Sequence, residues 1–203
     1  IVYNHGSSDS TKEYFEQDKD IRVINVAVNG VMPFSTNKAN MRGRYFLNVS
    51  NDIIIGEHAI ENLYRCITEH PQYGYVVPST PNVSNLQTIP VQYKTQEEFL
   101  EFAKRNNIYA ERRHEQRTRL CNPLHIMKSR VCARLSWDMY EEKSCSIHPM
   151  SFPDDKNSLW MRRNGYKCIL AKDAYCHHFG SVTLKHDLGN EREQQQFYLE
   201  GIR

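Results

Sequence analysis

The sequence lacks the features that mark membrane-spanning, nucleic-acid-binding and fibrous proteins. No apolar run approaches the ~20 residues that span a bilayer, and no signal peptide opens the chain. The net charge of +2 is too small to indicate nucleic acid as a partner, and there are no internal repeats or low-complexity segments. What is present is 203 residues, 39% apolar and 25% charged, which suits one globular domain.

The six cysteines include no CxxC pair, which argues against a disulfide framework. Cys145 with His148, and Cys176 with His177 and His178, have residue types that bind zinc. Their spacing matches no common zinc module, so reduced and buried thiols are the prediction. Reduced thiols favour a cytosolic protein.

Short apolar runs alternate with helical patterns through the first two thirds of the chain. This alternation predicts an α/β fold with a mainly parallel sheet flanked by helices. The strand candidates are 1–3, 21–26, 45–49 and 73–78. Four helices are predicted. The first is short and is capped by Asp9 or Ser10, and the second follows Gly56, with Ile60, Leu63, Tyr64 and Ile67 at helical spacing. The third opens with a capping box from Thr95 to Glu98, and the fourth has Asp154 or Asp155 as N-cap and Gly165 past its end.

An arginine-rich stretch follows the capping-box helix and contains Arg112, Arg113, Arg117 and Arg119. One interpretation is a solvated face of a helix or loop. The other is a basic rim that meets an anionic substrate, such as a phosphate-bearing acceptor.

The stretch YFLNVSNDIII, 45–55, interrupts an apolar run with polar residues. A buried carboxylate without a partner costs several kcal/mol, so Asp52 indicates either a strand end in water or a cation site. In an open α/β sheet, ligands bind beyond the carboxyl ends of the strands. At such an end, Asp52 is able to coordinate Mg²⁺ or Mn²⁺, while an Asx turn or helix cap is the alternative.

Two more polar segments are expected at the same edge of the sheet. NHGSSDST, 4–11, directly follows the first strand, and Gly6 permits a tight turn there. Asp154 and Asp155 are followed later by AYCHHFGSVT, 174–183. Taken singly, each segment is better explained by a turn, a helix N-terminus or hydrogen-bonded surface groups.

Together the segments resemble the family 2 glycosyltransferases of the GT-A fold. NHGSSDST is similar to the family's nucleotide-contacting DNGSTDGT segment, and NGVMPFSTNKANMRGRYFLNVSND to the run that ends in its DxD metal motif. YGYVVPSTPNVS fits the following strand and loop, FPDDKNSLWMRRNGYKCIL resembles the acid-rich block, and HHFGSVT the late His-x-G-S-x-T. These motifs occur in the family's order over nearly the whole chain.

The resemblance implies inverting transfer of a sugar from a nucleoside-diphosphate sugar to an acceptor hydroxyl. It makes Asp155 the general base, preceded by Asp154, and makes Asp52 a ligand of Mn²⁺ or Mg²⁺. His178 fits the late metal-ligand position best, with His177 one residue out of register. The nucleotide-binding positions that it implies are Asn4, Gly6, Ser7, Asp9, Asn37, Ser50, Asn51 and Asp52.

The sequence departs from the family pattern at several positions. Ser50 replaces the first acid of the metal motif, which predicts weak or nucleotide-dependent metal affinity. Asn157 or Ser158 replaces a third acid of the acid-rich block, and Asn4 replaces an Asp that reads the nucleobase. The family's first strand is missing and the chain opens inside a strand, so we expect a fragment, a processed chain or part of a larger polypeptide.

The expected organisation is a single glycosyltransferase domain over 1–203. Its nucleotide-sugar half is about 1–80, its acceptor half is about 81–184, and 185–203 form a terminal tail. Trp137 and Tyr140 are candidate sugar-stacking residues on the acceptor side.

The expected partners are the donor and a glycan, lipid-linked or protein acceptor. By the resemblance, the setting is bacterial surface-glycan synthesis in the cytoplasm or at the inner face of the membrane. Two alternatives remain: a non-catalytic, degenerate module that binds nucleotide or glycan, and a metal-dependent nucleotidyltransferase, which would require a triphosphate.

Overall fold

The computed structural model describes residues 1–26, 41–83, 87–136 and 153–180. The strands are β1 (Val2–His5), β2 (Val23–Val26), β3 (Tyr45–Val49), β4 (Ile53–Ile55), β5 (Tyr73–Ser79), β6 (His114–Arg117), β7 (Leu124–Lys128) and β8 (Lys167–His178). The helices are α1 (Thr11–Glu16), α2 (Ala59–Glu69), α3 (Gln96–Asn106), α4 (Ser129–Ser136) and α5 (Pro153–Arg163), with a 3₁₀ turn at Glu111–Arg113.

The described part of the chain is an α/β structure whose main sheet has the strand order β3-β7-β5-β8-β4, with β6 also paired to β8. The long strand β8 organises this sheet. Its first half pairs with β5 in parallel and with β6 antiparallel, and its last three residues pair antiparallel with β4. Helices pack against the sheet and bury its apolar side chains, as the alternating sequence pattern predicted.

The prediction of a mainly parallel sheet is wrong. β3, β5 and β8 share one direction, but β7 runs antiparallel between β3 and β5, and β4 and β6 run antiparallel to β8. Two of the three antiparallel strands, β6 and β7, contain polar residues that weaken an apolar-run signal. β6 reads HEQR, and β7 carries a buried His125 and Lys128.

The first two predicted strands form a small sheet of their own. β1 and β2 pair in parallel, from Val2 with Val23 to His5 with Val26, separately from the main sheet. The short helix α1 connects them, as predicted. Asp9 precedes this helix, and its Oδ1 accepts a hydrogen bond of 3.0 Å from the N–H of Thr11, the first helical residue.

Helix α2 follows Gly56, as predicted, but its buried face is rotated from the predicted stripe. Leu63 and Ile67 are fully buried, whereas Ile60 and Tyr64 are exposed. Ala59, Asn62 and Cys66 complete the buried face instead. A small residue, an amide and a thiol contribute little to the apolar periodicity. The prediction therefore placed the buried face on the large apolar side chains.

Two other helix signals are confirmed. The Thr95 Oγ1 accepts a hydrogen bond of 3.3 Å from the Glu98 N–H at the start of α3. After α5, Gly165 adopts a left-handed φ of +78°, and the Tyr166 N–H donates to the Met161 carbonyl at 2.9 Å. Asp154 and Asp155 lie inside the first turn of α5 rather than at its cap.

The cysteines and the helix lengths bear on two further predictions. Cys66, Cys121, Cys132, Cys168 and Cys176 are all free thiols. None of the helices in the described ranges combines the length and apolar character that crossing a bilayer requires.

Candidate functional site

The polar interruption at Ser50–Asp52 is a turn between two strands that do not pair with each other. β3 ends at Val49 beside the start of β7, and β4 begins at Ile53 beside the end of β8. The Ser50 N–H donates a 2.8 Å hydrogen bond to the Pro123 carbonyl, just before β7, and Asn51 is exposed. The turn therefore lies where β3 ends, at the carboxyl edge that the sequence predicted.

Asp52 and His178, both predicted as ligands of one cation, lie next to each other. The Asp52 Oδ2 is 3.1 Å from the His178 Nε2, and the two side chains are only 17% and 13% exposed. The Phe179 N–H donates to the Asp52 carbonyl at 3.1 Å, which continues the β4–β8 ladder by one residue. The Asn82 amide donates to the His178 carbonyl at 3.0 Å and holds this strand end from the other direction.

His177 lies among aromatic residues instead. Its Nδ1 is 2.6 Å from the Tyr93 hydroxyl, which is 2.8 Å from the Tyr175 hydroxyl. Burial, followed by the neighbouring His178, lowers the pKa of His177. Consecutive residues of a strand point to opposite faces, which explains why His178 contacts Asp52 and His177 contacts Tyr93.

Asp155 forms a bidentate ion pair with Arg119. The Arg119 Nε and Nη2 donate to the Asp155 Oδ1 and Oδ2 at 2.5 and 3.0 Å. The side chains are 33% and 43% exposed, so the pair lies at the surface of the fold. The guanidinium occupies both carboxylate oxygens, and its planar fork gives the pair a fixed geometry.

The segment that carries Arg119 runs alongside α5 through side-chain contacts. The Ser158 Oγ accepts from the Leu120 N–H at 3.1 Å, and the Arg162 Nη1 donates to the Thr118 carbonyl at 3.1 Å. On its other side, the Cys121 N–H donates to the Gln87 Oε1 at 2.9 Å. These bonds fix residues 118–121 between α5 and the chain that follows β5.

Asp154 has a different environment from its neighbour. Burial raises the pKa of its carboxyl to about 6, although the Arg119 charge and contacts with the Cys121 thiol and the Asn122 backbone act in the opposite direction. The adjacent carboxylates therefore differ: Asp155 is paired and partly exposed, and Asp154 is desolvated with a pKa close to neutral.

The structure thus connects two of the predicted segments through residues 119–123. Arg119 and Cys121 contact the acids of α5, and Pro123 contacts Ser50. Asp52, two residues after Ser50, contacts His178. Arg119 was noted in the sequence only as part of a basic rim; its role as partner of Asp155 depends on a tertiary contact that no local pattern encodes.

The polar groups of the segment 4–11 make contacts within the small sheet. The Asn4 Oδ1 accepts from the Ser7 N–H at 3.2 Å, and its amide donates to the Asn25 Oδ1 at 3.0 Å. Gly6 has a left-handed φ of +65°, as its predicted turn requires. A hydrogen bond from the Thr11 side chain, and then one from its backbone, lowers the pKa of Asp9.

The donor set at Asp52 and His178 fits a divalent cation that takes most of its ligands from a substrate. Carboxylate oxygen and imidazole nitrogen are ligands of Mn²⁺, and Mg²⁺ is commonly held by one or two carboxylates plus phosphates. No third His, Cys, Asp or Glu joins them among the residues that the structure describes. The His178 Nδ1 is buried and has no hydrogen-bond partner within those same ranges.

A second constellation, Cys66, His114 and Asp173, has the order of a nucleophile, base and acid. The His114 Nε2 is 3.1 Å from the Asp173 Oδ2, and the Cys66 Sγ is 3.5 Å from the His114 Nδ1. Cys66 and Asp173 are fully buried, and burial is the main cause that raises the pKa of the thiol. We interpret the group as a structural network that joins α2, β6 and β8, because a buried protonated thiol is a poor nucleophile.

Three predicted site residues, Asn37, Trp137 and Tyr140, lie outside the described residues, as does the predicted tail at 185–203. Comparison of the chain with protein-family models and with curated proteins finds no match.

Proposed function

We propose that this chain is a metal-assisted, inverting glycosyltransferase that moves a sugar from a nucleoside-diphosphate sugar to an acceptor hydroxyl. The observation that supports this most is the 3.1 Å contact between Asp52 and His178. The two residues lie far apart in the sequence, and the family resemblance assigns both of them to one cation. On this proposal the α/β core is of the GT-A kind, with the antiparallel strands as part of it.

Asp52 and His178 would hold Mn²⁺ or Mg²⁺, which supplies positive charge for the diphosphate leaving group. The turn at Ser50–Asp52 orients the Asp52 carboxylate, since its backbone is tied to Pro123 and Phe179 on either side. Ser50, at the position of the first acid, offers a hydroxyl, so the cation would depend on bound nucleotide for affinity. Asn4, Gly6, Ser7 and Asp9 remain the proposed nucleotide contacts on the small sheet.

Asp155 is the proposed general base, which takes the proton of the acceptor hydroxyl as that oxygen attacks the anomeric carbon. The residue stands in the first turn of α5 and its side chain is partly exposed, so an acceptor is able to reach the carboxylate. General-base catalysis contributes typically ~10²–10⁴-fold to a rate. The acceptor is a glycan, a lipid-linked molecule or a protein, and the proposed setting is the cytoplasm or its membrane face.

The alternative function is a non-catalytic module that binds nucleotide or glycan. One observation favours it: both oxygens of Asp155 accept from Arg119, which leaves fewer lone pairs for the proton of an acceptor hydroxyl. The ion pair is partly exposed; such pairs typically contribute about 0.2–1 kcal/mol, and the bidentate geometry places this one toward the upper end. A substrate is therefore able to open it at small cost, which is why the enzyme is our first proposal.

The test is release of nucleoside diphosphate from UDP-, GDP- and dTDP-sugars with Mn²⁺, in the presence of pooled sugar acceptors. We expect one donor class to turn over and Asp155→Asn to lower the rate ~10²–10⁴-fold while nucleotide binding stays nearly intact. Glu101→Gln, an exposed carboxylate on α3, is the matched control. Normal turnover by Asp155→Asn would refute the base assignment, and turnover of triphosphates alone would favour a nucleotidyltransferase.

A further inference from the structure

The arginines of the basic rim differ in what they contact. Arg113 donates to the Asn106 carbonyl and side chain at 2.7 and 2.8 Å, and Arg117 pairs with Glu115. The Arg113 contacts join the 3₁₀ turn to the end of α3, and the Arg117–Glu115 pair lies within β6. Arg112 is exposed on the 3₁₀ turn. Only Arg119 contacts a residue to which the proposed function gives a chemical role.

The Arg119–Asp155 pair partly occupies the proposed base. Each carboxylate oxygen spends one lone pair on the guanidinium, so an acceptor hydroxyl has only the remaining lone pairs to approach. A neutral acceptor hydroxyl competes poorly for a guanidinium, whereas a phosphate presents the same pair of oxygens to the same planar fork. An anionic group is thus the kind of ligand that would exchange with Asp155.

The surroundings of Arg119 favour such an exchange. Its side chain is 33% exposed and is reachable from solvent. Arg162, exposed on α5, reaches the neighbouring Thr118 carbonyl with one nitrogen and adds a second positive charge beside it. The hydrogen bonds of Leu120 and Cys121 hold the backbone next to Arg119 in place, so its side chain is able to change partner without a change of the segment.

We propose that Arg119 is the positioning residue for Asp155 and that it recognises an acceptor carrying a phosphate group near its attacking hydroxyl. The phosphate takes the guanidinium from Asp155, and the released carboxylate then faces the hydroxyl of the same molecule. This rests on the proposed function for the role of Asp155. The acceptor phosphate belongs either to a soluble sugar phosphate or to a lipid headgroup.

The test measures binding of inorganic phosphate, with EDTA present and no nucleotide, by isothermal titration at constant ionic strength. Four chains are compared: wild type, Arg119→Ala, Arg112→Ala as the matched control, and Asp155→Asn. We expect Arg119→Ala to lose binding and Arg112→Ala to retain it. Asp155→Asn should bind about fivefold more tightly, the factor that a partly exposed ion pair represents, because the internal competitor has lost its charge.

Equal affinity in all four chains, or equal losses in the two arginine variants, would overturn the proposal. Thermal unfolding of each variant checks that a loss of binding is not a loss of fold. The titration involves neither metal nor sugar donor, so the two proposals can fail separately. Arg119-dependent phosphate binding without sugar transfer would support the phosphate site and refute the proposed function. Sugar transfer without Arg119-dependent phosphate binding would support the function and refute the phosphate site.

A second arm distinguishes the two sources of phosphate. Glucose 1-phosphate is titrated in solution, and vesicles of phosphatidylcholine with and without phosphatidic acid are sedimented with the protein. Arg119-dependent binding of glucose 1-phosphate alone indicates a soluble acceptor, and Arg119-dependent sedimentation with phosphatidic acid indicates a lipid headgroup. Binding of neither, in a folded wild-type chain, would contradict the proposal.

Discussion

At the scale of single residues, two adjacent carboxylates that look alike in the sequence have different environments in the fold. Asp154 and Asp155 are adjacent, yet the first is desolvated with a pKa near 6 and the second is held by Arg119. Burial raises the pKa of the Asp154 carboxyl, whereas the Asp155 carboxylate is partly exposed and accepts from a guanidinium. The sequence marked both acids as candidates, but their difference depends on which side of the α5 turn each one occupies.

The Asp154 carboxyl should make stability depend on pH. Because its pKa is raised to about 6, the folded chain retains a proton between roughly pH 4 and 6 that the unfolded chain releases. Its contribution to the free energy of unfolding therefore falls as pH rises through that range, by roughly 3 kcal/mol, and is constant above it.

We expect Asp154→Asn to remove this fall, so that the variant gains stability relative to wild type at pH 7.5 but not at pH 4.5. Urea unfolding at both values measures the difference, with Asp20→Asn as a control for the loss of an exposed carboxylate. The same pH dependence in wild type and Asp154→Asn would show that burial does not govern this carboxyl.

At the scale of elements, apolar patterning predicts which segments exist better than it predicts which faces are buried. β1, β2, β3 and β5 all follow predicted strand runs, and α3 and α5 have the predicted cap and terminal glycine. β6 was missed because its HEQR sequence carries no apolar signal and it is held by backbone pairing to β8. The face of α2 was misjudged because Asn62 and Cys66 are buried there.

Two substitutions in α2 distinguish the observed face from the predicted one. Leu63 is fully buried against the sheet, and Ile60 is 41% exposed, although both belong to the predicted stripe. Leu63→Ala should lower the free energy of unfolding by about 3 kcal/mol, and Ile60→Ala by less than about 1 kcal/mol. Chemical denaturation of the two variants measures this, and similar losses for both would contradict the orientation of α2.

At the scale of the whole molecule, pairing between distant segments determines both the sheet and the site. β7 enters between β3 and β5 after a long connection that contains α3 and β6; a capping box marks α3 in the sequence, but β6 carries no apolar signal. A separate pairing, between β4 and the end of β8, joins Asp52 to His178. The sequence named both residues through a motif order, and the sheet supplies the reason that they meet.

The central claim is that Asp52 and His178 form a cation site that serves a nucleotide. The measurement that tests it most directly is isothermal titration of UDP, GDP and dTDP into the chain with Mn²⁺ and with EDTA. Asp52→Asn is titrated alongside, with Glu61→Gln, an exposed carboxylate on α2, as its control.

We expect one nucleotide to bind, at least tenfold more weakly with EDTA or with Asp52→Asn than in wild type with Mn²⁺, and Glu61→Gln to behave as wild type. Nucleotide affinity unchanged by metal removal and by Asp52→Asn, or no binding of any of the three by a chain shown to be folded, would contradict the account.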